Sequence, residues 1–162
     1  MTPAQIKWLK KMDITDYSVD SEGFVNVDGD VDISNKKLTS IPVKFGYVGG
    51  YFYCHYNNLS SLQGAPREVG GYFYCHYNNL SSLQGAPREV GGSFECWNNN
   101  LTSLEGAPKE VGGNFDCRNN NLSSLQGAPR EVGGDFCCWN NKFKAAPDHS
   151  FIKISGDFVW ER

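Results

Sequence analysis

One stretch of 21 residues dominates this chain, because it is copied along most of its length. Residues 49–69 read GGYFYCHYNNLSSLQGAPREV, and residues 70–90 repeat them without a single change. Looser copies occupy residues 91–111 and 112–132, and a truncated copy begins at residue 133. A fixed period this short predicts a solenoid, in which each coil packs only against its neighbours. A surface copied in this way indicates a scaffold that presents a face, and it disfavours an enzyme with one asymmetric site.

Within a copy the pattern is Phe52-x-Cys54-x-x-Asn57-x-Leu59-x-x-Leu62. Alternation with a period of two at Phe52 and Cys54 predicts a short strand with one buried face. The asparagines are expected to turn inward and satisfy backbone groups where the chain leaves the strand; they are Asn57, Asn78, Asn99, Asn120 and Asn141. The cysteines are expected to be free thiols packed as small hydrophobic side chains, with disulfides or a metal cluster as alternatives; they are Cys54, Cys75, Cys96, Cys117 and Cys138.

This pattern resembles the leucine-rich repeat, in particular the short-period bacterial type with segments such as Leu101-Thr102-Ser103-Leu104. It also resembles small asparagine-rich repeat proteins encoded by tailed phages. Gly49 and its equivalents depart from the pattern, because a leucine is usual there. The resemblance implies a right-handed coil with a parallel β-sheet on one face, mostly β-structure and irregular turns. The expected division is an N-terminal cap at residues 1–28, the leucine-rich-repeat solenoid at 29–142 and a C-terminal cap at 143–162.

The two ends carry the signals of caps, which a solenoid needs to cover its first and last coils. Thr2 followed by Pro3 predicts the start of a short helix that runs to Lys11. Two apolar segments around residues 20–23 predict a hairpin. Val31 and Ile33 lie 21 residues before Phe52 and Cys54 and predict an earlier coil, which gives six strands in register. Near the C-terminus, residues 151–154 are expected to add a shortened seventh strand. The apolar side chains of residues 151–160 either cover the last coil or form a patch for a partner.

The composition narrows the possible functions. The net charge of −3 gives no basic footprint for nucleic acid. There is no apolar run of about 18 residues that would predict a membrane span, and the N-terminal segment lacks the pattern of a secretory signal. We expect a cytoplasmic protein, of a bacterium or a phage-infected host, without catalytic residues, metal or cofactor. His55 and His76 would share one column, but a third metal ligand is not evident.

The outward positions of the strands form the candidate binding face, because Tyr, Trp and Arg dominate the energetics of protein interfaces. A non-enzymatic module for protein–protein interaction is therefore expected, and the phage resemblance suggests the masking of a host defence protein. The alternatives are binding of a sugar or nucleotide, self-assembly, or a tyrosine ladder that only stabilises the strands. The expected partner-binding residues are Tyr51, Tyr53, His55, Tyr72, Tyr74, His76, Glu95, Trp97, Asp116, Arg118, Asp135 and Trp139.

Overall fold

The computed structural model describes residues 1–161 and shows a solenoid in which successive coils pair in register, 21 residues apart. A single α-helix, α1 (Pro3–Lys11), precedes a series of strands two to four residues long. The strands form two sheets that run side by side along the solenoid. Each complete repeat contributes one strand to each sheet. The first strand follows its own Gly-Gly pair, and the second lies just before the Gly-Gly pair of the next repeat. The predicted repeat solenoid with parallel β-structure is confirmed.

The two sheets are here called sheet A and sheet B. Sheet A has eight strands, β1 (Ser18–Val19), β2 (Val25–Val27), β4 (Phe45–Val48), β6 (Glu68–Val69), β8 (Glu89–Val90), β10 (Glu110–Val111), β12 (Glu131–Val132) and β14 (Lys153–Ile154). Sheet B has seven, β3 (Val31–Asp32), β5 (Phe52–Tyr53), β7 (Phe73–Tyr74), β9 (Phe94–Glu95), β11 (Phe115–Asp116), β13 (Phe136–Cys137) and β15 (Phe158–Val159). Sheet B is the sheet that the sequence predicts. Sheet A is an additional finding, because the Glu-Val pairs carry no strand signal of their own.

The core is a set of stacked columns, one side chain per coil. The phenylalanines of β5, β7, β9, β11 and β13 are completely buried, and their rings stack at centroid distances of 5.5 Å for Phe52–Phe73, 5.2 Å for Phe73–Phe94 and 5.4 Å for Phe94–Phe115. Leucines of the turns and valines of sheet A complete the same core. Because the central coils bury the same residue types, they stack with a constant register of 21 residues.

The corner between the two sheets explains why each repeat has glycine at this position. The Gly91 amide donates to the Val69 carbonyl at 2.9 Å, so the ladder of hydrogen bonds continues through the corner. A Cβ atom on Gly91 would overlap the carbonyl oxygen of Gly70 in the preceding coil. The glycines therefore permit a close approach of two backbones. A positive φ occurs elsewhere in the coil, for example 91° at Gly85.

The N-terminal helix and hairpin are both confirmed. Thr2 caps α1, and its side chain and that of Gln5 form a capping box. Gln5 Nε2 also donates to the Pro42 carbonyl at 2.9 Å, and Leu9 is fully buried under the first coil. Strands β1 and β2 pair antiparallel, with Ser18 opposite Asn26.

The prediction for the C-terminal end is wrong in one respect. The seventh strand of sheet B is β15, in which Phe158 pairs with Phe136, and not a strand at residues 151–154. Within the latter segment, β14 instead extends sheet A, with Lys153 beside Glu131. The ring of His149 stacks on Phe158 at 3.7 Å, and Phe151 remains 55% exposed.

Candidate functional site

The asparagine column joins each coil to the next through side-chain hydrogen bonds. Asn99 Nδ2 donates to the carbonyls of Cys75 and Cys96, both at 3.1 Å, and the Leu80 amide donates to Asn99 Oδ1 at 3.0 Å. Asn57, Asn78 and Asn120 repeat this arrangement inside the solenoid. Asn141 does so at its partly open end. The backbone engages the amide donors and the acceptor of these side chains, which leaves little capacity for hydrogen bonds to a ligand.

The cysteine column lies in the core. Its five thiols, those of Cys54, Cys75, Cys96, Cys117 and Cys138, are free and completely buried. Burial raises the pKa of these thiols above the usual range, and to about 12 for Cys138. A buried thiol that stays protonated is a poor nucleophile. Cys137 lies on the opposite, outward side of β13 and is partly exposed.

The aromatic side chains of the repeats at 49–90 form parallel columns on the outside of sheet B. In the first column, Tyr53 and Tyr74 stack with centroids 4.7 Å apart and rings nearly parallel. Tyr51 stacks on Tyr53 at 4.0 Å, and Tyr72 lies 5.8 Å from Tyr74. Tyr72 is nevertheless 47% exposed, so part of this aromatic surface faces solvent.

Histidines form the next column and lie between tyrosines on both sides. His76 stacks between His55, at 4.5 Å, and Trp97, at 4.4 Å. Burial, the neighbouring His55 and the Arg118 guanidinium lower the pKa of His76 to about 4, so its imidazole is neutral at pH 7. The contact of 3.5 Å between His76 Nδ1 and Glu95 Oε2 is therefore not an ion pair at neutral pH. Burial also lowers the pKa of His55.

Tyr56 and Tyr77 form a third column beyond the histidines, and sequence analysis did not include them in the site. Their rings stack at 4.5 Å, and their backbones adopt positive φ angles of 52° and 51°. Asn35, Asn98, Asn119 and Asn140 occupy the equivalent positions of the other coils, with φ between 50° and 54°. Asparagine suits this left-handed conformation and tyrosine does not. That exchange of Asn for Tyr was the available signal in the sequence.

Glu95 connects these columns to the following coil. Its carboxylate accepts a hydrogen bond from Trp97 Nε1 at 3.1 Å. Burial, together with the negative charge of this carboxylate, raises the pKa of Tyr74 to about 12. Tyr74 therefore remains a neutral phenol at pH 7.

Arg118 ends the aromatic surface on the C-terminal side. Its guanidinium lies 4.6 Å from the ring centroid of Trp97 and 5.4 Å from that of Trp139. The same group pairs with Asp116 at 3.3 Å. Five further residues of the predicted binding face therefore adjoin the tyrosine and histidine columns, namely Glu95, Trp97, Asp116, Arg118 and Trp139. Asp135 lies farther along sheet B, where its carboxylate accepts from the Asp157 amide at 2.8 Å.

Within residues 1–161, no group of three or more His, Cys, Asp or Glu side chains is placed to hold a metal ion. Cys54 is fully buried while His55 is half-buried on the other face, so they do not form a nucleophile pair. The only helix described over this range is too short to cross a bilayer.

Comparisons with known proteins add no assignment. No family model, no curated protein and no solved structure matches this chain.

Proposed function

We propose that this chain is a non-enzymatic protein-binding module, of leucine-rich-repeat type, which engages another protein through an aromatic face. The aromatic face is defined as Tyr51, Tyr53, His55, Tyr56, Tyr72, Tyr74, His76, Tyr77 and Trp97. The leucine-rich-repeat type is supported by the period of 21 residues and by the asparagine that links consecutive coils after each sheet B strand. The phage resemblance extends the proposal to a cytoplasmic protein that masks a host defence protein.

The observation that carries the proposal is the backbone conformation of Tyr56 and Tyr77. A left-handed conformation costs a residue with a β-carbon roughly 1–2 kcal/mol, and asparagine is among the residues that reduce this cost. The chain uses asparagine at this position in four other coils and tyrosine only in the two coils that carry the tyrosine and histidine columns. Local strain of this kind clusters at functional sites.

The exposure of the tyrosines supports an interface over a ladder that only stabilises the strands. Tyr56 is 50% exposed and Tyr77 39%, although both rings are ordered by stacking. Tyrosines held in fixed rotamers lose little conformational entropy when a partner covers them. Cavities of about 640, 440 and 290 Å³ open elsewhere on residues 1–161. The aromatic face lines none of these three cavities, and a broad row of exposed rings suits a protein partner better than a small ligand.

Affinity capture from bacterial lysate with three forms of the chain tests the proposal. The forms are the intact chain, a Tyr56→Asn/Tyr77→Asn variant and a Tyr47→Ala control. Tyr47 is an equally exposed tyrosine, 43% accessible, but it belongs to sheet A. We expect a bacterial protein to be retained by the intact chain and by the control and to be lost with the double variant. Retention of the same proteins by all three forms would contradict the proposal.

A further inference from the structure

The chain itself shows how a guanidinium group is held on this kind of surface. Arg118 lies on the rings of Trp97 and Trp139 while it pairs with Asp116. At the N-terminal end, Arg67 lies 3.6 Å from the ring centroid of Phe24 and 3.6 Å from the carboxylate of Glu22. In both places an arginine combines a cation–π contact with a carboxylate. The same two components surround the tyrosine rings of the aromatic face, but among residues 1–161 no arginine lies over those tyrosine rings.

Carboxylates without a cationic partner border the aromatic face on both sides. Among residues 1–161, no lysine or arginine lies within 4.0 Å of the carboxylates of Asp30, Asp32 or Glu95. The negative charge reaches the rings, because Asp30 and Glu95 both contribute to the raised pKa of Tyr53, after burial and the neighbouring tyrosines. The histidines between the tyrosines do not compensate it, since His76 is neutral at pH 7.

We propose that the occupant of the aromatic face is an arginine-containing basic segment of the partner protein, whose guanidinium groups lie on the exposed tyrosine rings and pair with Asp30, Asp32 and Glu95. This inference rests on the proposed function, because it specifies the partner of the same face. Arginine fits better than lysine: its planar group stacks on a ring and presents a fork of donors to a carboxylate. Uncompensated acidic groups beside aromatic rings repel the phosphates of nucleic acid, which excludes that class of partner.

Three labelled peptides serve as probes, namely short Gly-Arg, Gly-Lys and Gly-Glu repeats of equal length. Fluorescence anisotropy at low ionic strength measures their binding to the intact chain, because screening weakens exposed charge pairs as salt increases. We expect the Gly-Arg peptide to bind at least tenfold more tightly than the Gly-Lys peptide, and the Gly-Glu peptide not to bind. Equal binding of the two basic peptides would overturn the proposal, since it would indicate attraction by charge alone.

Two charge-removing variants locate the binding site. Asp30→Asn/Asp32→Asn removes two charges beside the aromatic face and keeps the oxygen atoms that accept the Tyr51 and Ser34 amides. The matched control is Glu89→Gln/Glu110→Gln, which removes two exposed charges from sheet A. We expect the first variant to weaken binding of the Gly-Arg peptide about tenfold, which is about 1.4 kcal/mol, and the control to leave it within about twofold.

The outcomes also separate this inference from the proposed function. An equal loss in both charge variants would overturn the inference, because the acidic row of sheet A would then account for the binding. If capture from lysate depends on Tyr56 and Tyr77 but the Gly-Arg peptide does not bind, the proposed function stands and the inference fails. If the Gly-Arg peptide binds at the aromatic face but no protein is captured from lysate through that face, the proposed function is contradicted, although the face does bind arginine.

Discussion

The asparagine column should be the most sensitive polar feature of the solenoid, and Asn99→Ala is the variant that shows it. Asn99 is only 7% exposed; two of its hydrogen bonds join its coil to the preceding one, and a third holds the Cys96 carbonyl of its own coil. The carbonyls of Cys75 and Cys96 each keep a second asparagine donor when Asn99 is truncated. The Leu80 amide loses the acceptor that Asn99 Oδ1 provides, and Leu80 is fully buried.

The expected loss follows from these contacts. Each hydrogen bond contributes about 1 kcal/mol net, and a buried amide left without an acceptor costs a further 1–3 kcal/mol or so. We therefore expect Asn99→Ala to lower the free energy of unfolding by about 4 kcal/mol. Single domains are stable by roughly 5–15 kcal/mol, so the variant should fold but with a much reduced margin.

Urea unfolding followed by tryptophan fluorescence and by circular dichroism measures this change. The matched control is Asn100→Ala, because the neighbouring Asn100 side chain is exposed and should change stability by no more than about 0.5 kcal/mol. Asn141→Ala should cost about 2 kcal/mol, since Asn141 makes the same bonds at the partly open end of the column. A loss below about 1.5 kcal/mol for Asn99→Ala would refute the account of the column.

Three further predictions test other parts of the structure. The free energy of unfolding should fall by about 2 kcal/mol as pH decreases from about 6.5 to 4. In this range His76 takes up a proton in the unfolded chain but not in the folded one, where its pKa is lowered to about 4. In His76→Phe this part of the pH dependence of unfolding should be absent. With a thiol reagent, Cys137 should react in the native protein and the five buried thiols of the cysteine column only after unfolding; rapid reaction of all six thiols in the native state would disprove the closed core. Gly91→Ala should cost about 3 kcal/mol, since its Cβ would overlap the Gly70 carbonyl, whereas Gly29→Ala, with open space around the added atom, should be nearly neutral.

Much of the fold follows from the sequence because the same pattern of apolar and asparagine positions recurs in each copy of the repeat. The alternation at Phe52 and Cys54 predicts sheet B, and Thr2 with Pro3 predicts the start of α1. Sheet A could not be predicted in the same way, since a strand of only Glu68 and Val69 has no periodicity of its own. Its hydrogen bonds arise from the stacking of coils that sheet B has already placed in register.

The end of the solenoid shows a different limit of sequence reasoning. The period changes there, because Phe136 pairs with Phe158 and Glu131 with Lys153, 22 residues later instead of 21. The apolar segment at residues 151–154 does contain a strand, but that strand belongs to sheet A, and sheet B ends with β15. In the candidate site, the tyrosine and histidine columns follow from the repeat. The positive φ angles of Tyr56 and Tyr77 required the backbone itself.

The central claim is that Tyr56 and Tyr77 serve binding and not stability, and the unfolding free energy of Tyr56→Asn/Tyr77→Asn tests it most directly. Relief of the left-handed strain returns roughly 1 kcal/mol per residue. The variant also loses the 4.5 Å stack between the two rings and their edge contacts with His76 and Trp97. These contacts stabilise the folded chain by a total free energy similar to the strain that is relieved. We predict a free energy of unfolding within about 1 kcal/mol of that of the unmodified chain. A loss of about 3 kcal/mol or more would contradict the claim, because the tyrosines would then be a stabilising ladder.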